Sequence, residues 1–234
     1  MADIFVIDHH EMPDPDRGIT HLQDKGFNVQ IVQPHNGEPL PELDGNTAGV
    51  MLMGGAQYVT ELEASPFLKD EMAFSENVMS KDIPLLGICL GAQMIAHQLG
   101  ADVGFHPEEN VAFGYYDVIP TEEGRDLFPE TLVAPSGNRQ GFDVPDGATL
   151  LAQGDIFKNQ AFRVGKTTIA FQFHPELTRP ILDKWQVQIA DSYGLPGAQT
   201  REQQDANFER YDADLHTWFT GFLDGFFGGS ERSG

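Results

Sequence analysis

The 234-residue chain contains one cysteine, Cys89, so no internal disulfide can form; a disulfide-framed secreted module is excluded and a reducing cytosol is expected. It lacks a long hydrophobic run. Its first ten residues, MADIFVIDHH, have no basic leader region, and no later segment approaches the roughly 20 apolar residues of a membrane span, so neither export nor insertion is expected. Positive charge is scarce as well, with Lys+Arg 14 against Asp+Glu 36 and a net charge of −22. Phosphate backbones and anionic lipid surfaces would repel such a chain, which argues against nucleic-acid or membrane partners. The excess comes from Asp and Glu dispersed along the chain rather than from acidic blocks, a composition suited to molar salt, where a Debye length of about 3 Å screens self-repulsion. A halophilic cytoplasm is the expected setting, with a moderately acidic mesophile enzyme as the alternative.

With 40% hydrophobic residues the chain can bury a core without staples. Its first hundred residues alternate strand-like and helix-like stretches. DIFVID at Asp3–Asp8 reads as a buried strand, followed by a Pro/Asp-rich loop and a helix over Gly18–Lys25. Phe27–Gln33 and Ala48–Gly55 read as further strands separated by loop. Ser65 and Pro66 mark the start of a helix with Phe67, Leu68, Met72 and Met79 on its apolar face. Ile83–Gly100 reads as strand, turn at Cys89, and helix. This alternation predicts an α/β fold, a mostly parallel sheet flanked by helices. From Gly104 the texture changes to short β-like pieces (VAFGYYDV, ATLLAQ, and QAFRVG with KTTIAFQF as a hairpin), a small antiparallel portion. Beyond Arg179 the pattern is helical again. Leu215, Trp218, Phe219, Phe222, Leu223 and Phe226 recur at helical spacing, which predicts a packing helix within a C-terminal extension, and GGSERSG reads as a disordered end. The expected organisation is a main domain over 1–179 with a helical extension over 180–234 packed on it.

Gly87-Ile88-Cys89-Leu90-Gly91 puts the cysteine between two glycines at a strand-to-helix junction. There a sharp turn lifts the thiol out of the sheet, the helix start favours a thiolate, and the Leu90 N–H faces a developing oxyanion. A cysteine that attacks an amide needs a base held in one orientation. His174 and Glu176, in His-Pro-Glu just past the apolar run IAFQF, fit that pair at the carboxyl end of a strand. His9, His10 and Glu11 sit in the Pro-rich loop and read as solvated rather than metal-binding, His35 and His106 as loop residues, and no metal or cofactor site is expected.

GICLGAQ at Gly87–Gln93 and FQFHPE at Phe171–Glu176 resemble the two signature motifs of the class I glutamine amidotransferases, and MGGAQ at Met53–Gln57 resembles their glycine-rich oxyanion strand. The resemblance spans about Asp3 to Arg179 and is strongest to stand-alone relatives of the amidotransferase part of GMP synthase. It implies a flavodoxin-like fold and a glutaminase in which Cys89 attacks the glutamine carboxamide, His174 serves as base and acid, and Glu176 orients His174. It further implies that Gly54, Gly55 and Leu90 frame the oxyanion, that Gln93 helps to hold the substrate, and that the ammonia goes to a separate synthetase. No ATP or dinucleotide fingerprint is present, so another polypeptide would use that ammonia. GYYDV at Gly114–Val118 and FDVPDGATLLA at Phe142–Ala152 resemble stretches flanking the glutamine pocket. One departure stands out: where the subgroup has His-Gly-Asp, this chain reads Ser136-Gly137-Asn138-Arg139-Gln140. Two alternatives stay open, a hydrolase of γ-glutamyl peptides or conjugates with the same three residues, and a non-catalytic regulatory subunit.

Overall fold

In the computed structural model, which describes residues 1–10 and 16–228, eleven strands and five α-helices are found. The first half runs β1 (Asp3–Ile7), α1 (Arg17–Asp24), β2 (Asn28–Val32), β3 (Thr47–Leu52), α2 (Phe67–Ser80), β4 (Leu85–Ile88) and α3 (Leu90–Gln98). The second runs β5 (Val103–Phe105), β6 (Ala112–Pro120), β7 (Leu132–Asn138), β8 (Gln140–Phe142), β9 (Thr149–Gln153), β10 (Asn159–Val164), β11 (Thr168–Phe171), α4 (Arg179–Gln188) and α5 (Arg201–Gly228).

One nine-stranded sheet has the order β2-β1-β3-β4-β11-β10-β9-β6-β7, and β5 pairs with β8 in a separate antiparallel ribbon. The five strands from β2 to β11 are parallel, and the strands beyond them antiparallel. This is the flavodoxin-like arrangement, whose order reverses between β1 and β3 and so opens a crevice at the carboxyl ends of the strands. Strand alternation builds two cores. Ile4 and Val6 face one side with α1 and α5, while Phe5 and Ile7 face the other with α2 and α3. α5 presses Leu215, Phe219, Phe222, Leu223 and Phe227 into the first of these cores.

Three details differ from the sequence reading. The Ser65 side chain makes no capping hydrogen bond; Pro66 occupies the cap position and Ser65 contributes its carbonyl to the Leu68 N–H. β7 was not anticipated, because Pro135 interrupts it. It is tolerated since β7 is an edge strand, paired only with β6 within the nine-stranded sheet. The third concerns His9, which is no solvated loop residue but lies buried beneath the β3 exit. Glu11 and the Gly229–Gly234 part of the predicted disordered end lie outside the described residues.

Candidate active site

Four strand exits meet at the carboxyl edge of the parallel strands: His9 after β1, Gly54 and Gly55 after β3, Cys89 after β4, and His174 after β11. Cys89 stands at the junction of β4 and α3 with φ 51° and ψ −104°, a left-handed backbone that a non-glycine residue holds only under constraint. Its neighbours supply that constraint. The Cys89 N–H donates to the Phe171 carbonyl at 2.7 Å, and its carbonyl accepts from Gln93 N–H at 3.0 Å. A Cβ on Gly91 would lie 2.1 Å from the Leu52 carbonyl oxygen, so only glycine lets α3 approach β3 this closely.

His174 is buried, and its backbone N–H is tied to the Pro135 carbonyl at 2.8 Å. Its Nδ1–H donates to Glu176 Oε1 at 2.7 Å, which leaves Nε2 for another partner. Burial alone weakens the ring's hold on a proton, but the Glu176 carboxylate together with the charge and hydrogen bond of Cys89 outweighs it, and the imidazole is pushed up to about 10. Trp185, from α4, stands nearly perpendicular to the His174 ring at 4.6 Å between centroids. Gly54 lies against both groups: a Cβ there would fall 2.6 Å from His174 Cε1 and 3.5 Å from Cys89 Cβ. The three residues singled out in the two motifs are thus brought together from strand exits 85 residues apart in the chain, Cys89 to His174.

The glycines and Leu90 meet at the same place, since a Cβ on Gly55 would lie 2.9 Å from Leu90 Cδ2. Gln93 lines the cleft, but its side-chain N–H groups are engaged by the Gln140 carbonyl at 2.9 Å and Gln172 Oε1 at 3.3 Å. Gln172 was not singled out by sequence reasoning. It is fully buried, and its amide donates to Cys89 Sγ at 3.6 Å. The signal was present in the motif: between Phe171 and Phe173, which stack on each other in the α5-side core, it is the one polar side chain and alternation turns it to the Cys89 side.

Beside Cys89 a cleft of about 330 Å³ is lined by Gly55, Gln57, Gln93, Asn138, Arg139 and Gln140, with Asp191 and Ser192 from the segment after α4. The departing segment of the sequence therefore forms a wall of this cleft. Within this lining Arg139 pairs with Asp191 at 2.7 Å and donates to Ser192 Oγ at 3.0 Å. A volume of this size, with Cys89 on its lining and polar walls, has room for a small polar ligand. Behind Glu176 lies Asp16, the cap of α1, whose carboxyl is pushed up to about 8 by burial and by the Glu176 and Asp8 charges. Asp16 accordingly carries a proton at neutral pH.

Among the described residues no cluster of three or more His, Cys, Asp or Glu could hold a metal ion, and no helix is long and apolar enough to cross a membrane. His97 is exposed, His106 accepts from the Glu108 N–H, and His10 pairs with Asp8.

Comparison with known proteins points to one family. Residues 18–184 match the family glutamine amidotransferase class-I. A glutamine-hydrolyzing GMP synthase subunit of Natronomonas pharaonis is 30% identical over 189 residues, covering 76% of this chain and 89% of that one. The glutamine-hydrolyzing GMP synthase of Cytophaga hutchinsonii is 31% identical over 158 residues, 65% of this chain but only 29% of that enzyme. Among solved structures, a glutamine amidotransferase from Thermotoga maritima superposes with a TM-score of 0.85 at 27% identity, covering 97% of this chain and 98% of that one.

Proposed function

The chain belongs to the class I glutamine amidotransferases, and on that premise we propose that it hydrolyses the side-chain amide of glutamine through a Cys89 thioester. Cys89 Sγ attacks the carboxamide carbon as a thiolate whose proton already rests on His174, whose imidazole is pushed up, despite burial, by Glu176 and Cys89. The tetrahedral oxyanion is met by the N–H groups of Gly55 and Leu90. His174 then passes the proton to the leaving nitrogen, and ammonia departs. Water, deprotonated by the same imidazole, attacks the thioester; glutamate leaves and the thiolate is regenerated. Glu176 keeps the ring in the tautomer and orientation this cycle needs. Gln172, itself held by a hydrogen bond from Gln93, donates to the sulfur and helps to fix it.

The observation that carries this reading is the bracketing of one imidazole between Glu176, at 2.7 Å, and the Cys89 sulfur, on a backbone turn held at φ 51°. The ammonia is handed to a separate synthetase polypeptide, a reading supported by coverage of 89% of the Natronomonas GMP synthase subunit. The dispersed acidic charge supports work in a salt-rich cytoplasm. The test is glutamate release from glutamine in molar KCl by the wild type and by Cys89→Ser; loss of release in the variant is expected, and equal rates would remove Cys89 from the reaction.

A second reading, hydrolysis of γ-glutamyl peptides or conjugates, is favoured by the Asn138-Arg139-Gln140 wall of the cleft, where the chain departs from the subgroup pattern. The acyl group attacked is the same and only the leaving amine differs. A survey of γ-glutamyl amides in which glutamine alone is turned over would exclude it.

A further inference from the structure

The proton transfers of the glutaminase cycle leave one buried ionisable pair unused. His9 and Glu71 both have side chains with 0% exposure, and His9 Nε2 meets Glu71 Oε2 at 2.8 Å. The other ring nitrogen, Nδ1, lies 3.1 Å from the Gly54 carbonyl oxygen. A carbonyl oxygen only accepts, so Nδ1 carries a hydrogen and donates it. Glu71 stands on the buried face of α2, among Leu68, Met72, Phe74 and Val78, where an apolar residue would bury at no desolvation cost. A fully buried ion pair is weak as a source of stability, since replacing it with packed hydrophobic groups is often neutral or better. Its retention at the exit of β3 needs another reason.

The geometry of the peptide unit supplies one. The Gly54 carbonyl and the Gly55 N–H belong to the same peptide plane, and no cis bond occurs among the described residues. In a trans peptide the two groups point in opposite directions, so whatever fixes the carbonyl fixes the N–H on the other side. His9 fixes the carbonyl. Gly54 at the same time abuts His174 and Cys89, and Gly55 abuts His9 Cβ at 2.8 Å and Leu90 Cδ2 at 2.9 Å from the position of a Cβ. Neither glycine has a side chain that resists rotation of the peptide, so the external bond from His9 has to set it.

We propose that the His9–Glu71 pair is a positioning device that sets the Gly54–Gly55 peptide so that its N–H is aimed at the oxyanion. The inference rests on the glutaminase reading, in which Gly55 is an oxyanion donor. Glu71 orients the His9 ring, and the ring holds the carbonyl; neither side chain touches the substrate. Consistently, burial works against the His9 charge but Glu71, the Gly54 carbonyl and Asp8 outweigh it and raise the imidazole above its ordinary value.

Because the aimed N–H is used only when the oxyanion forms, losing its orientation affects the transition state and leaves ground-state binding alone. The test uses the full chain carrying His9→Phe together with Glu71→Leu, which avoids an unpaired buried charge, and separately Glu71→Gln. Four quantities are measured: kcat and KM for glutamine, the rate of Cys89 alkylation by iodoacetamide, and inhibition by the γ-aldehyde analogue of glutamine. Alkylation is a displacement at carbon that makes no oxyanion, whereas the aldehyde forms a tetrahedral adduct that does. In the double variant kcat should fall about 10- to 100-fold, with KM and the alkylation rate within about twofold of wild type and aldehyde affinity reduced by the same factor as kcat. Glu71→Gln should retain near wild-type values, since its amide donates to Nε2 and keeps the hydrogen on Nδ1. Wild-type kcat and aldehyde affinity in the double variant would overturn the proposal, as would a parallel loss of alkylation, which marks general damage around Cys89. Failure of the underlying glutaminase reading is recognised separately, by glutamate release that survives Cys89→Ser.

Discussion

Replacing Gly54 by alanine tests the contact between the β3 exit and the Cys89–His174 pair. The backbone accepts the change, because Gly54 is not among the residues with positive φ. Space does not: the new methyl would sit 2.6 Å from His174 Cε1, where ordinary contact begins at 3.4 Å. The ring must therefore retreat by about 0.8 Å, and a misplacement of this order around a reacting group costs roughly 100-fold in rate. In activation free energy that is about 2.7 kcal/mol. The retreat cannot be absorbed by softer neighbours, since Glu176 holds Nδ1 at 2.7 Å and Trp185 packs against the ring at 4.6 Å between centroids. Glutamate release at saturating glutamine, with circular dichroism and Tm recorded on the same samples, reads the effect. The expected result is a kcat about 100-fold lower with the fold intact. Wild-type kcat in Gly54→Ala would show that His174 does not work from the position it occupies beside Gly54.

Three further outcomes are expected. Asp16 keeps its proton up to about pH 8 in the folded chain but loses it near its ordinary value of 3.8 when unfolded, so folding takes up a proton between these values and stability falls as pH rises across that window. Asp16→Asn, which retains a good helix cap, should leave Tm unchanged at about pH 4 and raise it relative to wild type at about pH 8.5; a constant difference across pH would refute this. Phe219→Ala removes a fully buried ring of α5 from the α1-side core and should cost about 3 to 5 kcal/mol in urea unfolding, while a cost below about 1 kcal/mol would mean α5 is not part of the cooperative core. With a net charge of −22, Tm should climb on going from dilute buffer to molar KCl as repulsion is screened, and a Tm indifferent to salt would contradict the halophilic reading.

The sequence carried the parallel half of the fold and the positions of Cys89, His174 and Glu176 because both depend on local patterns: apolar runs, glycines that permit close approach, and short motifs at strand ends. What was hidden depended on long-range context. His9 lies beside His10 in a Pro/Asp-rich stretch that reads as solvated, and its burial follows from Glu71, 62 residues away on another element. β7 was obscured by Pro135, acceptable only because β7 sits at the sheet edge. Trp185 gave a helical signal, but nothing local places its ring against His174. Gln172 is the intermediate case, since the alternation of FQF pointed it away from the two phenylalanines while its partner, the Cys89 sulfur, comes from a neighbouring strand exit.

The proposed cycle requires that the Cys89 sulfur be acylated by the γ-glutamyl group of glutamine, with ammonia leaving and His174 as the proton partner. Acid quenching during turnover, followed by peptide mass analysis, tests this directly. A γ-glutamyl adduct on the Cys89 peptide in the wild type, absent in His174→Ala, is the predicted result; steady glutamate release with that peptide unmodified at every time point would contradict it.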